Sequence, residues 1–251
     1  MYALILAGGK GERLRPITDE IPKPMIRVNG RPILEHQIEM LKQAEVTDII
    51  LCVGYKSEVI SEYFENGEDY EVNISYSYEE SPLGRGGAIK QAMNEIEPEK
   101  DEGRFFVLNG DIITSQALNT LDTIFLSKKQ LDLNHMATIM VTPLISPYGI
   151  VDISGTDVVG FREKIELPYW INAGLYMFDS YIYDYLPDIG DHETQTFPVL
   201  SSEGRLSNVK SRAFWKSVDS FKDLSEVEQH FKAVNWEIEK GNSNNVVSHV
   251  N

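Results

Sequence analysis

Apolar residues in the first half of the chain form short unbroken runs, separated by stretches with helical spacing. Tyr2–Leu6 reads as a strand buried on both faces. After it, Leu34, Ile38 and Leu41 recur at i, i+4 and i+7, which predicts a helix. Asp48–Val53 reads as the next strand, and Val59, Ile60, Tyr63 and Phe64 mark a short helix. Asn73–Tyr78 follows as a strand, then Ile89, Ala92, Met93 and Ile96 as a helical face. Arg104–Leu108 is a further strand, stopping at Asn109-Gly110-Asp111. This alternation predicts an α/β fold with a mostly parallel sheet covered by helices on both faces.

The second half is less regular. Met136–Thr142 reads as a central strand, and Gly149–Ile153 with Val158–Phe161 as a hairpin around Ser154-Gly155-Thr156. Ile171–Phe178 is another apolar strand and Ala213–Lys216 a last short one. From Ser220 a long helix carries Phe221, Leu224, Val227, Phe231, Val234 and Ile238 on one side. Ser220 and Asp223 fit a capping box at its start. The polar stretch Gly241–Asn245 opens an expected disordered tail, 241–251. No repeat of the kind that builds a parallel β-helix is present.

The 251 residues suffice for a sizeable core in one α/β domain. A formal net charge of −16 argues against nucleic acid or an anionic membrane as partner. It does not exclude small phosphorylated substrates, which need only a local basic cluster. The one cysteine, Cys52, lies in an apolar strand and reads as a small buried hydrophobe; no internal disulfide or cysteine-based zinc site follows from it. Tyr2–Ala7 is too short for a secretory signal, and no run has membrane-spanning length, so a cytoplasmic location is expected.

The basic cluster lies in the loop after the first strand. Leu6-Ala7-Gly8-Gly9-Lys10-Gly11-Glu12-Arg13-Leu14-Arg15-Pro16 has three glycines that let backbone N–H groups approach phosphate oxygens. Lys10, Arg13 and Arg15 add cations, and Pro22-Lys23-Pro24 holds one more on stiffened backbone. From Lys10 to Arg31 there are six basic and three acidic residues. Neither the dinucleotide fingerprint nor the P-loop fits, because the third glycine and the Gly-Lys-Ser/Thr ending are missing. A Gly-Gly-x-Gly taken alone is more often a tight turn with solvated charges.

The full string from Gly8 through Thr18, followed by Pro22-Lys23-Pro24-Met25, resembles the signature of the sugar-1-phosphate nucleotidyltransferases that make nucleotide sugars. It is most similar to short mannose-1-phosphate and heptose-1-phosphate guanylyltransferases, with glucose-1-phosphate cytidylyltransferases a near second. The resemblance implies a Rossmann-like, mostly parallel mixed sheet flanked by helices (a GT-A-like nucleotidyltransferase fold) with no C-terminal β-helix. It implies one domain over 1–240: a nucleotide part of about 1–115, a sugar-phosphate part of about 116–220 and a closing helix of about 220–240.

The resemblance also implies site residues. Leu6, Ala7, Gly8, Gly9 and Gly11 would meet the nucleotide. So would Glu79, Pro82 and Gly84, around the second glycine-rich turn Ser81–Gly87. Arg85 stands there where the family often has Thr or a small residue, which leaves the base open. Arg13, Lys23 and Asp111 are the expected catalytic residues. Asp111 and Asp219 are the expected ligands of Mg²⁺, a hard ion that also takes phosphate oxygens and water. Asp219 has a competing reading as a cap of the last helix. Tyr148, Gly149, Glu163, Lys164, Asn172 and Gly174 are the expected sugar-phosphate residues, although Ile165 replaces a usual proline.

The implied partners are an NTP and a sugar 1-phosphate, with no nucleic acid and no membrane. Dimers are common among similar proteins, which makes a second copy of the chain a candidate partner. The implied reaction transfers a nucleotidyl group to the sugar phosphate and releases pyrophosphate. GTP with mannose or heptose 1-phosphate leads, ahead of cytidylyl, uridylyl or thymidylyl transfer. Two rivals stay open: a glycosyltransferase, whose usual Asp-x-Asp is absent at Asn109-Gly110-Asp111, and a non-catalytic homologue that binds nucleotide sugar.

Overall fold

The computed structural model describes residues 1–97 and 102–246, with side chains described as far as residue 234. In chain order the elements are β1 (Tyr2–Leu6), α1 (Ile17–Glu20), β2 (Arg27–Val28), β3 (Arg31–Pro32), α2 (Ile33–Gln43) and β4 (Asp48–Val53). There follow α3 (Ser57–Phe64), β5 (Asn73–Tyr78), α4 (Gly84–Ala92), β6 (Arg104–Asn109), β7 (Ile112–Thr114) and α5 (Asn119–Leu131). The second half holds β8 (Ala137–Ile145), β9 (Ile150–Ser154), β10 (Asp157–Arg162), β11 (Glu166–Asp179), α6 (Thr196–Ser202), β12 (Leu206–Lys210), β13 (Trp215–Ser217) and α7 (Phe221–Val246).

Seven strands form one sheet in the order β12-β8-β11-β6-β1-β4-β5. Within it β11 alone runs antiparallel to its neighbours β6 and β8. Successive residues of the unbroken apolar strands feed opposite faces. Ala3, Ile5, Ile49 and Leu51 pack with Leu34, Ile38, Ile60 and Phe125, from α2, α3 and α5. Tyr2, Leu4, Ile50 and Cys52 pack with Ile89, Ala92, Phe197 and Leu200, from α4 and α6. A fully buried aliphatic or aromatic side chain of this kind contributes about 1.5–3 kcal/mol. Cys52 is buried, and burial pushes its thiol pKa up, as an inert core residue requires.

Winding proceeds from β1 to β4 to β5 on one side, then restarts at β6 on the other. The carboxyl ends of β1 and β6 therefore flank a topological switch point, where open α/β sheets place ligands. Leu6 and Asn109 are register partners there.

The structure departs from the sequence reading in several places, the short elements α1, β2, β3 and β7 among them. Helix α5 was not expected, because only Leu121 and Phe125 within it are buried and its apolar stripe is narrow. Helix α6 holds Pro198 in its first turn, where a missing N–H costs little. Strand β12 is a short, half-buried edge strand. Strand β11 begins at Glu166, five residues before the expected Ile171, and its first half is largely exposed.

The hairpin β9–β10 forms around Gly155 as expected. At α7, Ser220 and Asp223 make the capping box: the Asp223 N–H donates to Ser220 Oγ at 3.3 Å, and Ser220 Oγ donates to Asp223 Oδ2 at 2.7 Å. Val227 is buried against Leu14, Ile33 and Val218, whereas Phe221 and Val234 are partly exposed and Ile238 lies where only backbone is described. The helix continues to Val246, six residues beyond the expected boundary; the rest of the expected tail, 247–251, lies outside the described residues. Among the described residues no helix is long and apolar enough to cross a membrane.

Candidate active site

At the switch point the opening loop and the end of β6 are fitted to each other. Gly110 N–H donates to the Leu6 carbonyl at 2.9 Å, and a Cβ on Gly110 would collide with that oxygen. The Ala7 N–H bonds the Cys52 carbonyl at 2.8 Å, holding the loop to β4. Gly8 lies so close to Glu79 that a Cβ would sit 2.6 Å from Glu79 Oε1, whereas a Cβ on Gly9 would meet nothing within 4 Å. A side chain at Gly8 would have to displace the Glu79 carboxyl, whereas Gly9 borders open space. Gly11 takes a left-handed φ of 62° against the stem of Lys23, where an added Cβ would lie 2.9 Å from Lys23 Cβ, so the loop and the Pro-Lys-Pro segment pack together.

Lys23 is the centre of the polar cluster. Its Nζ donates to Asp111 Oδ2 at 2.6 Å and to Asp219 Oδ1 at 2.7 Å. The Arg13 guanidinium donates to the same Asp219 oxygen at 2.6 Å, and Ser217 Oγ donates to Asp219 Oδ2 at 2.9 Å. Residues 13, 23, 111 and 219 thus converge from four segments. The Val218 N–H bonds the Asp111 carbonyl at 2.9 Å, which fastens the two aspartate segments together. Burial raises the Asp219 pKa, but the Lys23 hydrogen bond and charge, the Ser217 hydroxyl and Arg13 outweigh it. The carboxyl is held below the usual range. Asp219 does not cap α7 through its side chain; Ser220 and Asp223 do that work.

Two carboxylates gathered on one ammonium are a fit test for a cation. A hard divalent ion needs one or two protein carboxylates, with phosphate oxygens and water filling the rest. Asp111 and Asp219 meet that need. No group of three or more His, Cys, Asp or Glu suited to a metal occurs among the described residues.

One residue that sequence reasoning missed underlies this arrangement. Gln37, buried on α2, donates from Nε2 to the Asn109 carbonyl at 2.8 Å and to the Ile112 carbonyl at 3.1 Å. It fixes both ends of the turn that presents Asp111. Its polarity amid Leu34, Ile38 and Leu41 was the available signal. Arg15, by contrast, turns away from the cluster to Asp19, at 3.2 Å.

The second glycine-rich turn opens α4 and is held from both sides. Glu79 Oε2 accepts from the Leu83 N–H at 3.1 Å. The Gly190 carbonyl accepts from Gly86 N–H at 2.9 Å, and Gly190 N–H donates to the Leu83 carbonyl at 2.8 Å. Added Cβ atoms at Gly84, Gly86 and Gly87 would strike Gly190, Pro187 and Asp188, so these glycines serve close packing. Pro82 and Gly84 are exposed. Arg85 binds Asp191, with Nε to Oδ2 at 2.8 Å, and Glu193, with Nη1 to Oε1 at 2.5 Å. Asp191 and Glu193 were also missed by sequence reasoning.

The expected sugar-phosphate residues fall into two groups. Asn172 and Gly174 flank a bulge in β11, where register against β8 shifts between Asn172 and Tyr176. Gly174, at φ 73°, approaches Asn109 so closely that a Cβ would lie 2.7 Å from Asn109 Nδ2. The bulge thereby brings Gly174 against Asn109 at the end of β6. Tyr148, Gly149, Glu163 and Lys164 lie around the β9–β10 hairpin instead. Tyr148, Glu163 and Lys164 are exposed, and a Cβ on Gly149 would run into the Phe161 ring. Among the described residues no hydrogen bond or ion pair ties Glu163 or Lys164 to the Lys23 cluster.

A cavity of about 470 Å³ lies elsewhere, lined by α2, residues 112–119 and Phe231; Lys23, Asp111 and Asp219 take no part in it. Chemistry rather than enclosed volume marks the Lys23 cluster.

A family-wide sequence profile described as "Nucleotidyl transferase" matches residues 2–233. The chain is 37% identical over 233 residues to a mannose-1-phosphate guanyltransferase of Saccharomyces cerevisiae, covering 89% of this chain and 63% of that protein. It thus spans somewhat under two thirds of the length of the curated relatives it matches. The crystal structure of HddC from Yersinia pseudotuberculosis complexed with GMP-PN aligns with a TM-score of 0.69 at 27% identity, over 92% of this chain and 99% of that one. A putative glucose-1-phosphate thymidylyltransferase from Bacillus anthracis aligns with a TM-score of 0.73 at 22% identity, over 91% and 94% of the two chains, and speaks to the fold alone.

Proposed function

Because the chain belongs to the nucleotidyl transferase family, we propose that it transfers a nucleotidyl group from an NTP to a sugar 1-phosphate, with GTP and mannose or heptose 1-phosphate as substrates. The convergence of Lys23 on Asp111 and Asp219 at the switch point carries this reading. A phosphate oxygen of the sugar attacks the α-phosphorus in line. The new P–O bond forms as the bond to the bridging oxygen breaks, and pyrophosphate leaves with that electron pair. The attacking phosphate is already largely ionised near neutral pH, its second pKa being about 6, so no general base is needed.

The chemical difficulty is to bring two polyanions together and to stabilise charge at the α-phosphoryl group. Lys23 sits between the attacking and transferred phosphates and offers its charge where charge develops. Arg13, on the exposed rim of the cluster, grips the β- and γ-phosphates. Asp111 and Asp219 would hold Mg²⁺, which supplies charge neutralisation at the phosphate oxygens. The backbone of Leu6–Gly11, with Glu79, Pro82 and Gly84, receives the nucleotide. Lys164 takes the sugar phosphate, Glu163 and Asn172 bind sugar hydroxyls, Tyr148 and Gly149 border the sugar, and Gly174 admits its ring. Cytoplasmic NTP and a second copy of the chain complete the proposed setting.

Pyrophosphate release, measured for four NTPs against mannose, heptose and glucose 1-phosphates with Mg²⁺, tests this directly. GTP with mannose or heptose 1-phosphate should lead. Release with CTP and glucose 1-phosphate alone would overturn the base and the sugar, and no release with any pair would overturn the reaction.

A further inference from the structure

A single line of hydrogen bonds runs from the second glycine-rich turn to the wall assigned above to the sugar. Arg85 Nη1 donates to Glu193 Oε1 at 2.5 Å. The same carboxylate oxygen accepts from the Tyr176 hydroxyl at 3.1 Å. The Tyr176 oxygen in turn accepts from Asn172 Nδ2 at 2.8 Å, and Asn172 Oδ1 accepts from the Gly174 N–H at 3.1 Å. Tyr176 is fully buried, stacked on Phe178 and met edge-on by His192 and Phe197, so its ring cannot drift.

The polarity of this line is forced. An ionised carboxylate only accepts hydrogen bonds, so the Tyr176 hydroxyl must spend its one proton on Glu193. Its oxygen is then left to accept, and only the NH₂ end of the Asn172 amide can satisfy it. The carbonyl end of Asn172 therefore faces Gly174. Arg85 holds the Glu193 carboxylate in place, and the Glu193 N–H, donating to Asp191 Oδ1 at 2.8 Å, fixes its backbone.

We propose that Arg85 and Glu193 are positioning residues for sugar recognition: through Tyr176 they lock the amide of Asn172, so that a sugar hydroxyl meets one remaining N–H donor and one remaining lone pair in fixed places. This rests on the reading of Asn172 as part of the sugar wall. It gives Arg85 a task distinct from contact with the base, and it couples the nucleotide turn to the sugar strand through four side chains.

The test uses the 251-residue chain with Tyr176→Phe, which removes one hydroxyl and keeps the ring packing, and Glu193→Gln, which lifts the forced polarity. With the NTP and sugar 1-phosphate that the wild type prefers, both variants should raise KM for the sugar 1-phosphate about tenfold, the worth of one well-placed hydrogen bond. KM for the NTP should stay within about twofold, since the turn keeps its Gly190 hydrogen bonds. Preference for mannose over glucose 1-phosphate should also fall. Unchanged sugar KM in folded variants, or equal rises in both KM values, would overturn the proposal. If the wild type releases no pyrophosphate with any pair, the functional reading fails separately. The lock is then read from the Asn172 side-chain amide by NMR, where one proton should exchange slowly in the wild type and rapidly in Tyr176→Phe. Rapid exchange in both would overturn it.

Discussion

The Lys23 cluster and the β9–β10 hairpin are built differently. At the cluster, Lys23 is 12% exposed and already bonded to two carboxylates, with Arg13 and Ser217 beside them. On the hairpin side, Tyr148 is 78% exposed, and Glu163 and Lys164 stand in solvent on the turn after β10. The first region is organised by the chain itself. The second offers exposed groups that a ligand would have to order, at an entropic cost for each side chain fixed. The difference teaches where each kind of work belongs. Charge stabilisation requires groups set in advance, whereas exposed side chains such as those of the hairpin can only be set by what binds to them.

Replacing the charge at the centre tests this division hardest. Lys23→Met should lower kcat by about 10³-fold, near the top of the range for one preorganised donor, with both KM values changed only a few-fold. A purified, folded variant with near-normal turnover would break the comparison. Circular dichroism should accompany the assay, because the variant removes the ammonium that joins Asp111 to Asp219.

Acid sharpens it next. His192 is fully buried beside Tyr176, Phe197 and the Arg85 charge, and burial with that charge pushes its pKa down to about 4 from 6.5. The unfolded chain takes up this proton near pH 6.5, the folded one only near 4. Stability is therefore full above about 6.5 and falls as the pH drops toward 4, by about 3 kcal/mol over that gap. Asp219 and Asp191 are held below the usual carboxylate range, so both stay charged through most of it. Melting temperatures from pH 7.5 to 4.5 should decline less in His192→Phe than in the wild type. Equal declines would remove His192 as the cause.

The glycines separate the regions further. Gly110→Ala places a methyl against the Leu6 carbonyl and should cost about 1–3 kcal/mol, as overpacking does, read from denaturant midpoints. Gly149→Ala meets only the edge of the exposed Phe161 ring and should cost less, since that side chain can swing away. A larger loss at Gly149 would show the hairpin to be as tightly set as the switch point. Smallest in free energy is Lys164→Met, expected to raise KM for the sugar 1-phosphate about tenfold with kcat within about twofold. A kcat loss comparable to that of Lys23→Met would merge the two regions.

What the sequence made legible follows the same division. Strands β1, β4 and β5 match the expected bounds end for end: β1 and β4 are apolar runs buried on both faces, and β5 alternates exposed and buried residues. The charged residues at 13 and 23 lie in the string that resembles the family signature, whereas 111 and 219 were expected from separate places, 219 with a competing reading as a cap. That they meet at one lysine was not legible, since the contact joins segments up to 206 residues apart. The polar supports stayed hidden for a related reason. Gln37, Asp191 and Glu193 act through backbone groups and a tyrosine that only the folded chain brings near. Helix α5 escaped because two buried residues make too thin a stripe to count as periodic.

The division of labour itself is tested by single-turnover kinetics at saturating GTP and mannose 1-phosphate, comparing Lys23→Met with Lys164→Met. The expected result is a chemical step slowed about 10³-fold in the first and changed less than about twofold in the second. Equal slowing in the two, or a normal step in Lys23→Met, would contradict the assignment of the chemistry to the cluster that joins Lys23 with Asp111 and Asp219.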